Sequence, residues 1–301
     1  MTEQLPPDVI AQLKALDPAI TPELAQASWA LLTPFHEKAG YTAPKIGRDL
    51  RYGDDPRHRL DVHTGNDGAA GRPVFVFVHG GGFVRGDKHD PGTPRYDLVG
   101  AWAVRRGYIG VTMTYRLAPE HKWPAGAQDV ASAVQWIREN IAAYGGDPER
   151  IVVAGNSAGA VHVASFAAGQ APGADPATIA GAAMLSGIYE IRTPRPGEPE
   201  HAYYGPDPDP AVVSSLPGLL ETPVPLLFSV SERDPRSFHE GAARVVTAWL
   251  ERHGTVPDLV WVEGHNHMST IGSLTVDEPA LGTALARFID RHTAPKEETA
   301  Q

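Results

Sequence analysis

Three short stretches of this 301-residue chain carry residue types and spacings suited to acyl-transfer chemistry. The first is Gly155-Asn156-Ser157-Ala158-Gly159, where a β-branched run, Ile151 to Ala154, leads directly into an Ala-rich helical stretch. A serine between small residues in a strand-turn-helix context suits a sharp, strained turn that exposes its hydroxyl. Ser157 is therefore the expected nucleophile, at a helix N-terminus that favours developing negative charge. A serine in a glycine-rich turn also serves as a plain helix cap, so the motif needs its partners.

The second stretch is V-F-V-F-V-H-G-G-G-F at 74–83. Three consecutive glycines are entropically costly, and close approach of backbone N–H groups to an oxyanion explains them. Gly81, Gly82 and Ala158 are the expected oxyanion donors. The competing reading is a phosphate cradle, but the Lys-Ser/Thr pair of a P-loop does not follow. His79 precedes the glycines and is expected to orient them.

The third is a pair of loops that must supply a base and its orienting carboxylate, in the chain order serine, acid, histidine. After an apolar run at 225–230 comes S-E-R-D-P, offering Asp234 first and Glu232 as the fallback. After a run at 259–263 come His265 and His267, of which His267 is preferred because it precedes the last helical segment. Two histidines at this spacing also suggest zinc, but the chain has no cysteine and no third ligand stands nearby, so no metal and no cofactor is expected. Phe83, Met268 and Tyr203 are the expected substrate contacts.

These stretches need a scaffold that brings three loops to one edge. Short β-branched runs alternate with Ala-rich segments from residue 48 onward, the pattern of a mostly parallel sheet covered by helices on both faces. Eight strands are expected, at 49–52, 60–63, 73–79, 108–115, 151–155, 179–186, 225–230 and 259–263. Helices are expected at 93–106, 125–144, 158–169, 237–253 and 276–291, with Val130, Val134, Ile137 and Ile141 showing the helical period. Two segments fall outside the alternation. Residues 1–47 read as an arm or cap of short helices interrupted by Pro18, Pro22 and Pro34, followed by a catalytic domain at 48–301. Residues 192–223, rich in Pro, Gly and Asp, read as a cap-like insertion, and aromatics in both segments are available to line a pocket. The tail from Thr293 is expected to fray.

Composition bounds the rest. Hydrophobic residues make up 42% and charged residues 21%, enough apolar material for one sizeable core. The net charge of −10 disfavours nucleic acid and anionic lipid as partners. Prolines and acids in the first thirty residues leave no export signal, and no apolar run approaches the ~20 residues of a membrane helix. A soluble, cytoplasmic protein is expected, acting as a monomer or homodimer on a small-molecule ester.

The blocks H-G-G-G-F at 79–83, Y-R-L-A-P-E at 115–120, G-G-D-P-E-R-I at 145–151 and G-N-S-A-G at 155–159 resemble the hormone-sensitive-lipase-like carboxylesterases. The resemblance covers roughly residues 48–292. It implies an α/β-hydrolase fold, an acyl-enzyme route, and an oxyanion hole matching Gly81, Gly82 and Ala158. Asn156 and Ala160 replace the usual Asp and Gly of that group, and R-G-D-K at 85–88 is similar to feruloyl-esterase-like and kynurenine-formamidase-like relatives. Ester cleavage, C–N cleavage by an arylformamidase or amidase, and a non-catalytic binder on the same fold remain as alternatives. Retention of Ser157, Asp234 and His267 together argues against the last.

Overall fold

A computed structural model describes residues 4–295. Eight strands, β1 (Lys45–Arg51), β2 (Arg59–Thr64), β3 (Arg72–Val78), β4 (Ile109–Met113), β5 (Gly146–Asn156), β6 (Gly181–Leu185), β7 (Leu226–Arg233) and β8 (Asp258–Asn266), form one sheet in the order β1-β2-β4-β3-β5-β6-β7-β8. The pairings β1/β2 and β2/β4 are antiparallel, and every later pairing is parallel.

The alternation of side chains along β3 builds two cores, one on each face. Val74, Val76 and Val78 pack with Val130, Val134 and Ile137 of α4 (Ala125–Asn140) and Val163 and Phe166 of α5 (Ala158–Ala167). Phe75 and Phe77 face the other way, against Leu98 and Trp102 of α3 (Asp97–Arg105) and Leu285 and Phe288 of α10 (Gly282–Thr293). An interior filled from both faces fixes the strand ends, and those ends carry the loops with the chemistry.

The expected elements are all found, with shifted limits. β1 begins at Lys45, so residues 45–47 belong to the sheet and the expected boundary at 47/48 falls inside a strand. β5 reaches back to Gly146 through the turn-like G-D-P-E-R, which rejoins the ladder across an irregularity beside β3. The last helix starts at Gly282 rather than Val276, because a 3-10 turn at Ile271–Thr275 and a buried connection precede it. Thr293 does not fray: its hydroxyl donates to Ile289 O and the residue is buried. Beyond Pro295 the expected tail lies outside the described residues.

The arm is two helices, α1 (Pro7–Ala15) and α2 (Pro22–Ala39). Pro22 sits in the first turn of α2, where the missing N–H is tolerated, and Thr21 caps that turn from Leu24 N. Pro34 lies within α2 and does not interrupt it, which corrects the expectation. Leu5, Val9, Leu13 and Leu32 pack with Val276 into a small core of their own. The 192–223 segment carries α6 (Pro199–Tyr204), α7 (Pro210–Val213) and α8 (Leu216–Glu221), before α9 (Arg236–His253) covers the sheet beyond β7.

Candidate active site

β5 delivers Ser157 at a turn with φ 56° and ψ −121°, a conformation costly for a residue with a Cβ. The turn closes only because its neighbours lack side chains. A Cβ on Gly155 would stand 2.3 Å from Gly159 O, and one on Gly159 would stand 2.2 Å from Val78 O. Ser157 N donates to Leu185 O at 2.9 Å, tying the elbow to the end of β6.

The glycine loop after β3 is equally constrained. Gly81 has φ 134°, and a Cβ there would meet Arg85 O at 2.0 Å. Below the loop, Tyr115 Oη donates to His79 O at 3.0 Å, and the two rings stack at 4.3 Å. His79 Nδ1 reaches Gly80 O at 2.6 Å, while Arg57 Nη2 donates to Gly86 O at 2.8 Å. Burial pushes the His79 pKa down to about 3, so a neutral ring orients the loop as expected. The Gly81 and Gly82 amides have no hydrogen-bond acceptor among the described residues, and Ala158 opens α5 with its N–H equally free. Three amides are thus left for a ligand oxygen.

His267 bridges the acid and the serine. Its Nδ1 lies 2.7 Å from Asp234 Oδ1, and its Nε2 lies 2.9 Å from Ser157 Oγ. A carboxylate only accepts, so the proton sits on Nδ1 and Nε2 faces the serine hydroxyl as an acceptor. Asp234 is fixed on its other oxygen by Ser231 N and Ser186 Oγ, both at 2.7 Å. Phe238, in the first turn of α9, packs on the His267 ring at 4.5 Å.

The two fallback residues have other partners. Glu232 pairs with Lys14 of α1 at 2.7 Å and accepts from Gly264 N. His265, fully buried, lies between Ser269 Oγ and Asp277 Oδ2, each at 3.1 Å. It braces the loop that carries His267, and among the described residues no three His, Cys, Asp or Glu side chains cluster as metal ligands.

The expected substrate contacts divide. Met268 is half-buried beside His267, and its N–H donates to Asn266 Oδ1. Phe83 and Tyr203, at 4% and 1% exposure, stack face to face at 4.5 Å instead of presenting rings to a ligand. They seat α6 on the glycine loop, and Pro199 packs close over Gly82. Trp29, Phe35 and Tyr41 of the arm pack against the protein core.

Ser186 and Asn266 were missed in the sequence. Asn266 accepts from Met268 N, Ser269 N and Ser28 Oγ, and so organises the turn holding His267. Only their places at the ends of β6 and β8 signal them. A cavity of about 440 Å³ lies between the 188–195 connection, α6 and the start of α9, the elements adjoining Asp234 and the glycine loop.

The sheet order, the elbow on β5 and the loop order serine, acid, histidine define an α/β-hydrolase. The BD-FAE family model matches residues 60–174, which include the glycine loop and the elbow. Carboxylesterase NlhH of Mycobacterium tuberculosis is 53% identical over 89 residues, 29% of this chain and 26% of that protein. Esterase LipQ of the same organism is 35% identical over 202 residues, 62% of this chain and 46% of that protein. The matches thus span from about a quarter to just under half of these relatives' lengths. The fold is similar to an esterase from Pyrobaculum calidifontis, with TM-score 0.70 and 22% identity over 96% of this chain and 98% of that one. The chain has the α/β-hydrolase fold, and over part of its length it is similar to carboxylesterases and esterases. No helix among the described residues is long and apolar enough to cross a membrane.

Proposed function

We propose that this chain hydrolyses carboxylic esters, of small or aryl acyl groups, through an acyl-enzyme on Ser157. The observation that carries this reading is the continuous hydrogen-bonded line from Asp234 through His267 to Ser157, beside three amides without acceptors. Ser157 Oγ attacks the ester carbonyl carbon as its proton passes to His267 Nε2. The carbonyl oxygen becomes an oxyanion and accepts from the N–H groups of Gly81, Gly82 and Ala158. Asp234, buried and held by two other donors, keeps the ring oriented and stabilises the imidazolium without taking its proton. Collapse breaks the bond to the leaving alcohol, which receives the proton from His267. Water then repeats the sequence with His267 as base, releasing the acid and restoring Ser157. The chain itself provides nucleophile, base and oxyanion donors, and the proposal includes no metal or organic cofactor.

The test is a panel of p-nitrophenyl esters of increasing chain length, with N-formyl aromatic amines beside them, assayed with the wild type and Ser157→Ala. The variant should keep its circular dichroism and melting temperature while kcat falls at least ~1,000-fold. Equal turnover by the two proteins would overturn the assignment, and cleavage of the formamides alone would move it to C–N hydrolysis.

A further inference from the structure

The turn between β1 and β2 is far from the triad in sequence, yet its half-buried Arg57 touches both limbs of the glycine loop. Nη2 donates to Gly86 O at 2.8 Å and stands 3.3 Å from His79 Nε2. Nε donates to Tyr115 O at 2.9 Å, and Nη1 lies 3.6 Å from Asp87 Oδ2. The turn is itself anchored. Arg57 N donates to Asp55 Oδ1 at 2.8 Å, and Arg57 O accepts from Thr114 Oγ1 beyond the end of β4.

These contacts fix a proton. His79 is fully buried, with Nδ1 2.6 Å from Gly80 O. A carbonyl only accepts, so Nδ1 carries a hydrogen; a guanidinium only donates, so Nε2 does not. Among the described residues Arg57 is the one partner of Nε2. Without it the ring is free to put its proton on Nε2 and turn a lone pair toward Gly80 O. That oxygen belongs to the same planar peptide as the Gly81 N–H, so whatever holds the oxygen aims the donor. The contact with Gly86 acts on the returning limb. A Cβ on Gly86 would stand 2.4 Å from both Gly80 O and His79 Nδ1, which shows how closely the two limbs approach. Next to it, Arg85 N donates to Gly81 O at 3.2 Å and closes the turn around Gly81 and Gly82. Arg57 Nη2 therefore ties the outgoing limb, at His79, to the returning limb, at Gly86.

We propose that Arg57 is a positioning residue of the oxyanion hole, setting the direction of the Gly81 N–H through the His79 tautomer and the Gly86 carbonyl. It acts through the loop and not on the substrate. The inference rests on the ester-hydrolase reading for what the Gly81 amide does, whereas the control of the His79 tautomer is independent of that reading.

The test compares Arg57→Met, which keeps an apolar stem and removes every donor, with Arg57→Lys, which keeps the charge but not the fork. On p-nitrophenyl butyrate, Arg57→Met should lower kcat about ten- to a hundredfold and leave KM within about twofold, because the oxyanion exists only beyond the ground state. Arg57→Lys should recover part of that loss. Inhibition by an alkyl trifluoromethyl ketone, to which Ser157 adds to give a tetrahedral oxyanion, should weaken in Arg57→Met by the same factor as kcat. A merely structural role would lower the urea midpoint while leaving kcat per folded enzyme and ketone affinity unchanged, and that result would overturn the proposal. Nitrogen-15 NMR of the histidine rings reads the same chain of contacts without turnover: His79 should be the Nδ1–H tautomer in the wild type and a mixture in Arg57→Met. A wild type that cleaves no ester would remove the ester reading and leave the tautomer to decide this one. A His79 ring unchanged by Arg57→Met would overturn the proposal in either case.

Discussion

The helical arm of residues 4–44 meets the site on the side of its base, whereas the 199–223 segment meets it on the side of its oxyanion loop. The arm reaches the His267 turn through Ser28 on Asn266, His36 on Thr275 and Lys14 on Glu232. Its aromatics are used in packing. The second segment sets Pro199 over Gly82 and Tyr203 on Phe83, and its Glu200 borders the cavity. Both look alike in the sequence, as stretches not spent on the sheet. The first buttresses the turn that carries His267, and the second covers the glycine loop.

The sharpest way to break this division is at the two histidines of the braced turn. His267→Asn should lower kcat at least ~1,000-fold with little change in melting temperature, since it removes the acceptor for the serine proton. His265→Asn should do the reverse, leaving kcat within about tenfold but costing about 1–3 kcal/mol of stability as Asp277 and Ser269 lose a buried partner. Steady-state kinetics and urea unfolding on both variants separate the two effects, and the opposite pattern would exchange the histidines' roles.

A smaller effect is expected from the brace itself. Ser28→Ala removes one hydrogen bond to Asn266, and it should lower stability by about 1 kcal/mol and reduce kcat by the same few-fold factor on every ester. A change confined to bulky esters would place the arm in the pocket after all.

Acid acts on the fold rather than on the chemistry. His36 and His63 are held by burial near pKa 4, and His79 and His162 near 3. Each is depressed below its unfolded value, so above about pH 6.5 both states are neutral there and no stability is lost. As pH falls below that value the unfolded chain binds protons that the folded one resists. Stability should decline from about pH 6.5 down toward the folded values, by about 2 kcal/mol per histidine at pH 5. Urea midpoints measured between pH 8 and pH 5 check this, and a flat profile would contradict it.

How much of this was legible depends on what each residue needed. The glycines at 81, 155 and 159 were readable because each stands where a Cβ would strike backbone, a demand only glycine meets. The strand expected at 151–155 leaves out Gly146–Arg150, whose residue types are turn formers, yet pairing with Arg72 draws Gly146 into β5. Val276 and Leu281 mimic a helical period while lying in a buried connection to Gly282. The helical limits were misread there because apolar spacing reports burial and not backbone conformation. The partners of the site were the least legible: Ser186 on Asp234 and Ser28 on Asn266 join residues 48 and 238 positions apart. Phe83 and Tyr203 were misjudged for a related reason, since a sequence shows that two aromatics exist but not that they stack on each other.

Ser157 is the hydroxyl expected to be activated, through His267 and Asp234. Treating the protein with an aryl-bearing fluorophosphonate and mapping the adduct by peptide mass spectrometry tests it directly. One equivalent of label is expected on the peptide containing Ser157, with loss of esterase activity in step with labelling and no labelling of Ser157→Ala or His267→Asn on the same time scale. Stoichiometric label on a different serine, with activity lost in parallel, would contradict it.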